Sequence, residues 1–546
     1  MKKTPKREYR LRSAKSWIKS IFSGQDSKKL VDWESCDSIL DFLKRNIDAD
    51  GSLKESAYTL PDEKKEDDEI KFAPGLTDSM FGADDSDESK TRTKKLIKLI
   101  ARIAKHGDEQ SKSDFYREIT ENESVIGIID QFLEKLVQSS IPIEPHLFSF
   151  THKLATKTQN RNAVKFGVAI LGLCQNKKPI EDVKILGLHD EFTVFSTIAL
   201  ASLSDNLVND LWQLAQHVDG WGKIQLVDRL AEMDLPEAIR DWLVLEGYKN
   251  SIMYEYLALT CAINGNLNQK LSKESIDQNL FNSAGEIIVA LIEDGPSEGM
   301  SGYKEAEETL QSYIRHAKST PLKIADFITL HRIKDYLEES PEENEVIRTW
   351  DDSEVSNFLI GINEILTSKD WTTEVKVALD SSNNVEFWKG KQASQKLGID
   401  ISDTLWKRLD KYPLDSTSWY DITTYIKHEN PQKLIDKAIG LIPIMEISTG
   451  PKDLMGVGPD WQKYQSLDYV ITFLENRPKV GEEIILAGLN SPVIRNRNMA
   501  LRTLQSWTSD NWSQKIKTEL NKLKEIEPTE DIKADLVKLL NGEKFE

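Results

Sequence analysis

The 546-residue chain has little with which to build a covalent or metal-held framework. Its three cysteines, Cys36, Cys174 and Cys261, are odd in number, far apart and never in CxxC spacing. That argues against a disulfide framework, favours a reducing compartment and leaves no zinc-ligand pattern. The eight histidines form no HExxH or ExxH pair, and none belongs to a set suited to a non-haem iron site. His106-Gly107-Asp108 and His217-Val218-Asp219 each fall beside a glycine where a helix is expected to end, so both read as helix-terminal turns. Long apolar runs are missing. No stretch approaches the roughly 18 residues a membrane-spanning helix needs, and no apolar core follows the basic N-terminus as a secretory signal would require. A cytoplasmic protein without a transmembrane segment is expected. Basic charge is also in deficit: 71 Lys and Arg face 90 Asp and Glu, a net charge of −19. Such a surface repels phosphate, so no nucleic-acid partner is expected.

The motifs of common catalytic folds are absent as well. The nearest dinucleotide fingerprint, Gly456-Val457-Gly458-Pro459-Asp460-Trp461, has tryptophan for its third glycine and a proline that removes an N–H. The nearest phosphate loop, Gly222-Lys223-Ile224, lacks the leading glycine and the trailing hydroxyl. There is no GxSxG elbow. Cys174 and Cys261 lie in apolar contexts and read as small core residues rather than haem ligands. No catalytic residue, cofactor-binding residue or metal ligand is nominated.

What is present is helical periodicity. Leu96, Ile97, Leu99, Ile100, Ile103 and Ala104 recur at three and four residues, with Lys94, Lys95, Lys98, Arg102 and Lys105 around the rest of the helix. This reads as the first core-packed helix, with a membrane-surface or partner-groove helix as the alternative. Four segments then repeat one idiom: Arg161–Leu171, Phe192–Leu200, Lys223–Leu230 and Met253–Leu259. Ala169 and Ala199 are 30 residues apart, as are Leu200 and Leu230. Shorter apolar helices, Leu207–His217 and Ala238–Leu245, lie between them. Two helices and a turn per 30 residues is the signature of an α-solenoid. Small residues at Ala169, Gly172, Ala199, Ala201, Ala258 and Ala262 are expected where helices approach closely. Helices are also expected over Ser283–Leu291, Tyr303–His316 and Leu322–Leu337. Near the end, Ser491 is expected to cap a helix with Pro492 in its first turn. Leu441–Ile447 shows the strongest strand-like alternation, and Pro443 inside it weakens either regular reading. Residues 350–430, rich in tryptophan, asparagine and serine, do not fit the period.

The fold class expected is therefore all-α: a solenoid of stacked, HEAT-like helix pairs with a partly disordered N-terminal region. Residues 1–90 read as a basic amphipathic helix followed by an acidic linker, with apolar islands at Phe72–Leu76 and Met80–Gly82 that dock on the body. Residues 91–340 read as the helical-repeat array, and 341–546 as a second, less regular repeat region. The Pro341–Glu345 run marks the boundary.

The run Gly220–Leu230, continuing into Trp242–Gly247 and Glu255–Ala258, resembles a bacterial helical-repeat family. Phe72–Gly75 and Met80–Gly82 are similar to that family's N-terminal part. Some of its members carry the name limonene hydroxylase. The resemblance implies oxidation of a monoterpene to carveol and perillyl alcohol, with alcohol dehydrogenation using NAD or NADP, but carries over no catalytic residue. From the residues themselves the expected function is a binding scaffold for a protein partner, basic or neutral against the acidic surface. Trp221, Lys223, Arg229 and Tyr254 are its candidate contact residues.

Overall fold

The computed structural model describes residues 37–63, 86–121, 126–139, 141–142, 145–174, 176–293, 295–339, 350–426 and 431–545. The basic N-terminal helix, the acidic linker from residue 64 on, the islands at Phe72–Leu76 and Met80–Gly82, Cys36 and the Pro341–Glu345 boundary lie outside the described residues; the linker's first residues, 61–63, are described, and Asp62 pairs with Arg161. Among those described the chain is all-α: 28 α-helices, short 3-10 turns, and two isolated β-bridges in place of any strand. No helix among them is long and apolar enough to cross a membrane.

The chain divides into two compact units. One comprises Met1–Lys65, Lys71–Pro321 and Arg332–Ile365; the other comprises Glu66–Ile70, Leu322–His331 and Leu366–Glu546. The first contains α1 (Ile39–Arg45), α2 (Asp87–His106), α3 (Glu109–Thr120), α4 (Ile126–Gln138), α5 (His146–Lys157), α6 (Arg161–Leu171), α7 (Ile180–Gly187), α8 (Asp190–Leu203), α9 (Leu207–Ala215), α10 (Gly220–Ala231), α11 (Glu237–Trp242), α12 (Glu255–Asn264), α13 (Leu267–Leu271), α14 (Gln278–Ile292) and α15 (Ala306–Ala317). Helix α16 (Ile324–Glu338) straddles the division, and α17 (Asp352–Thr367) lies in the first unit up to Ile365.

Stacked pairs form as the period predicts. Helix α5 packs on α6, α7 on α8, and α9 on α10, while α6, α8, α10, α12 and α14 lie side by side as one row. The starts of α6, α8 and α10, at residues 161, 190 and 220, are 29 and 30 residues apart, close to the predicted period. The next pair departs from it because α11 runs on into a π-helical turn, Leu243–Gly247. Each start has a local cause. Asn160 Oδ1 accepts the backbone N–H groups of Asn162 and Ala163 at 3.0 and 3.1 Å, and His189 Nδ1 accepts that of Glu191 at 3.1 Å. Helix α6 is buried from Asn162 to Leu171. The lysine-ringed helix α2 sinks Leu96, Ile100 and Ile103 completely, which settles it as core-packed rather than membrane-facing.

Close approach is paid for at small residues. A Cβ on Gly167 would lie 2.5 Å from the Ala155 backbone nitrogen, so α5 and α6 cross where only glycine fits. Gly172 similarly admits Ala199. Ala169, Ala199, Ala258 and Ala262 are buried as expected; Ala201 is exposed, because it falls on the outward side of α8. Gly167→Ala is expected to lower unit stability by about 1–3 kcal/mol through overpacking. Gly440→Ala, where a Cβ meets nothing within 4 Å, should be neutral or mildly stabilising. Urea midpoints of the two variants check this.

The second unit contains α18 (Thr372–Leu379), α19 (Asn384–Leu397), α20 (Ser402–Lys411), α21 (Ser416–Tyr425), α22 (Pro431–Leu441), α23 (Ile444–Ile447), α24 (Gln462–Phe473), α25 (Glu482–Leu489), α26 (Ile494–Trp507), α27 (Gln514–Ile526) and α28 (Glu530–Asn541). Helices α21, α24, α26 and α28 pack in succession as an inner row, and α22, α25 and α27 back them. So 350–430, unreadable by period, is built from the same helix pairs. Two local expectations are corrected. Ile444–Ile447 is a helical turn, because Pro443 at its start suits a helix and interrupts a strand. Ser491 does not cap α26, whose N-cap is Val493; the Ser491 hydroxyl accepts the Val493 N–H at 3.2 Å and donates to Asn496 Oδ1 at 2.7 Å.

The inner rows are cross-linked by ion pairs spaced near one repeat. Lys165 meets Glu191 at 2.6 Å, and both are buried. Lys391 pairs with Asp421. Arg497 and Glu527, both without solvent exposure, form a two-pronged pair at 2.8 Å per contact, and Arg497 also donates to the Ser491 carbonyl at 2.9 Å.

Candidate functional site

The four residues singled out in the sequence fall on α10 and its approach to α12. Trp221 is half-buried and meets Tyr256 edge-to-face at 5.0 Å, as expected of a residue packing on the next repeat. Lys223 lies over the Trp242 ring at 5.7 Å and donates to the Glu246 carbonyl at 3.1 Å. Burial holds its ammonium below the usual lysine range, against the pull of Asp219. Tyr254 is exposed and packs edge-to-face on buried Tyr248 at 5.3 Å; burial, then Glu286, raises its phenol. These three share the edge where α10 and α12 begin. Arg229 sits two turns further along α10, exposed and paired with Glu232, away from the aromatic group.

Beside that edge lies a buried polar cluster. Residues 37–63 run across the starts of α6 and α8. The Ile39 N–H reaches the Thr158 carbonyl at 2.9 Å. Asp62 accepts the Arg161 N–H at 2.7 Å and its guanidinium at 3.1 Å, and Tyr58 stacks near His189 at 5.6 Å. Beneath lie His189, Asp190, Glu191 and Lys165, all buried. Gly220, at φ +63°, leaves room for Asp190, whose Oδ2 would be 2.6 Å from any Cβ there. Burial holds the His189 imidazole down at about 4, Arg161 reinforcing it. Burial and Asp219 push the Asp190 carboxyl up to about 7, against the pull of the Gly222 amide. Burial alone would raise Glu191 too, but Lys165 and Arg161 outweigh it and hold the carboxylate low. Burial, then Asp190 and Asp219, pushes Tyr58 up to about 12. His189 Nε2 and Asp190 Oδ1 have no hydrogen-bond partner among the described residues. Each perturbed group has a place in the fold: His189 caps α8, and Asp190 faces the start of α10. Perturbed titration therefore accompanies architecture here.

The second unit holds a surface that the sequence did not reveal. On α21, the residues facing solvent are Thr417, Tyr420, Thr424 and Tyr425; its one charged residue, Asp421, is buried. On α24, Gln462, Gln465, Tyr469, Thr472 and Asn476 recur at three and four residues along the exposed side and just past its end. The two stripes are in register. The Ser416 hydroxyl donates to Gln465 Oε1 at 3.1 Å, and the Tyr420 and Tyr469 rings meet edge-to-face at 5.3 Å. Between them is a half-open groove of about 690 Å³, lined by Tyr420, Thr424, Tyr469, Thr472 and Phe473, with the oppositely charged Glu475 and Arg477 at one end. Lys391 of α19 reaches over the Tyr420 ring at 5.8 Å, and Trp388, 46% exposed, lies one turn before it. On the other side, α26 presents Arg495, Met499, Arg502 and Ser506 as one stripe. Arg495 is held by Asp468, whose burial raises its carboxyl despite that arginine; Thr472 Oγ1 lies 3.9 Å from Met499 Sδ.

In a chain that is 29% charged, two adjoining helix stripes without charge, with Glu475 and Arg477 only past the end of α24, are a departure. Depletion of charge with enrichment of Tyr, Trp, Met and Arg is the compositional mark of an interface core. A second cavity, of about 670 Å³, is lined by Ile439, Ile442, Pro443, Ile444, Met445 and Leu486 with a few polar groups. Cys174 and Cys261 are buried free thiols; burial pushes Cys261 above its usual range. Among the described residues no group of three or more His, Cys, Asp or Glu is arranged to hold a metal ion.

No protein-family model matches the chain, and no curated protein or solved structure matches it either.

Proposed function

We propose that the chain is a helical-repeat scaffold that binds a protein partner through the inner row of its second unit. The observation that carries this reading is the pair of uncharged stripes on α21 and α24, with Tyr420 48% exposed and packed against Tyr469 across a groove. Stacked repeats supply such extended surfaces, and exposed tyrosine and tryptophan give large contact area at low entropic cost. The test is capture from cell extract by the full-length chain, compared with its Tyr420→Ala/Tyr469→Ala variant. A set of proteins retained by the first and lost by the second, at an unchanged melting temperature, is expected. Identical retention would overturn the reading.

The resemblance to the limonene-hydroxylase-named family supplies a second reading, oxidation of a monoterpene with NAD or NADP. It draws support from the apolar cavity at Ile439–Met445, whose size falls within the range of small-molecule sites. Purified protein incubated with limonene, oxygen and NADPH would yield carveol or perillyl alcohol under that reading and no product under the scaffold reading.

A further inference from the structure

We propose that the occupant of the α21–α24–α26 row is an extended, proline-rich segment of a partner, with acidic residues at the end that reaches α26; this rests on the scaffold reading above.

The first argument is register. Neighbouring packed helices lie about 8–10 Å apart. A polyproline II helix turns once in three residues and rises about 3.1 Å per residue, so it repeats every ~9 Å. A proline-rich strand laid across the row therefore offers the same side to each successive helix. The side chains there suit it. Tyr420 and Tyr469, which line the groove, provide flat faces for proline rings, as in the aromatic-lined grooves that take such segments. A polyproline backbone makes no internal hydrogen bonds, so its carbonyls need donors. The hydroxyls of Tyr469, Thr424 and Thr472 and the Asn476 amide line or border the groove. An amphipathic helix would instead need a continuous apolar floor, and here aromatic groups alternate with hydroxyls and amides.

The second argument is charge. The chain carries −19, yet the α26 stripe carries Arg495 and Arg502. Asp468 pairs with Arg495. Arg502 is exposed, and no ion pair is formed by it among the described residues. An anionic group on the partner would complement it.

The test is fluorescence anisotropy of the full-length chain with a labelled peptide of nine prolines followed by three aspartates. Saturable binding is expected. Replacing the prolines by alternating glycine and serine, or the aspartates by lysine, should weaken it about tenfold or more. Tyr420→Ala and Tyr469→Ala should each cost about tenfold, as central tyrosines do. Arg502→Glu should cost about fivefold at low salt and less at high salt. Thr424→Arg, which fills the groove while leaving every ring in place, should abolish binding even if a tyrosine variant fails to fold. Absence of saturable binding, or binding indifferent to Thr424→Arg, overturns the proposal. So does concentration-dependent self-association that Thr424→Arg abolishes, since a second copy would then be the occupant. Loss of peptide binding with tyrosine-dependent capture intact would sink only the occupant's chemistry; loss of both would sink the scaffold reading as well.

Discussion

Arg497→Met is expected to destabilise the second unit by about 3–5 kcal/mol, the usual cost of leaving half of a fully buried ion pair behind. The Arg497 and Glu527 side chains have no solvent exposure, and their two 2.8 Å contacts are the one ion pair either forms among the described residues, beside hydrogen bonds to the Ser491 carbonyl and from the Thr529 N–H. Methionine fills much of the arginine stem's volume, so the loss lies in the stranded Glu527 carboxylate rather than in a cavity. Glu527→Gln should cost a similar amount by stranding the guanidinium. The double variant Arg497→Met/Glu527→Met removes both charges and should recover most of the loss. Urea unfolding of the three variants measures this. Additive losses in the double variant would show that the pair is not coupled as its geometry requires.

Asp190→Asn is expected to change how stability depends on pH in the first unit. The Asp190 carboxyl titrates near 7 when folded, against an ordinary value of 3.8. The folded chain thus binds the extra proton between those values, and stability falls as pH rises from about 4 to 7, by about 4 kcal/mol in all. His189 works in the opposite direction. Its folded value near 4 lies below the ordinary 6.5, so the unfolded chain binds the extra proton and stability rises with pH across that window, by about 3 kcal/mol. From pH 4 to 6.5 the two slopes oppose each other. The parent chain should show a nearly flat contribution from this pair. Asp190→Asn should expose a rise of about 3 kcal/mol over that window. His189→Asn, which keeps a capping side chain on α8, should expose a fall of similar size. Denaturation midpoints recorded at half-unit pH steps would reveal these slopes; parallel curves for all three proteins would contradict the assignment.

Much of the first unit was legible because its apolar positions repeat. Arg161–Leu171 is a helix with the predicted bounds, and the small residues Ala169 and Ala199 mark the stacking interval. The second unit was harder for a physical reason. On α21 and α24 the solvent faces use threonine, glutamine and tyrosine in place of charge, so there the contrast between buried and exposed positions is weak. The loop between α23 and α24, residues 448–461, also separates neighbouring inner helices and breaks the interval. Tyr420 and Tyr469 are 49 residues apart in sequence and in contact in space, which no fixed period anticipates. The available signal was the scarcity of charge in Ser416–Tyr425, a segment with one acid in ten residues. Arg497 was hidden for a different reason. Within Arg495-Asn496-Arg497-Asn498 it reads as solvated, and only Glu527, 30 residues on, makes its burial intelligible. Of the four contact residues nominated, Trp221, Lys223 and Tyr254 were placed together because one repeat joint carries them, while Arg229 lies along the same helix and out of reach.

The measurement that bears most directly on the inner row is site-specific photocrosslinking in living cells. A photoreactive residue at Thr424 on the α21 face would be compared with one at exposed Lys407 on α20. Crosslinks to a discrete partner from position 424 and none from 407 are predicted. Equal yields from both positions, or none from 424, would contradict the account.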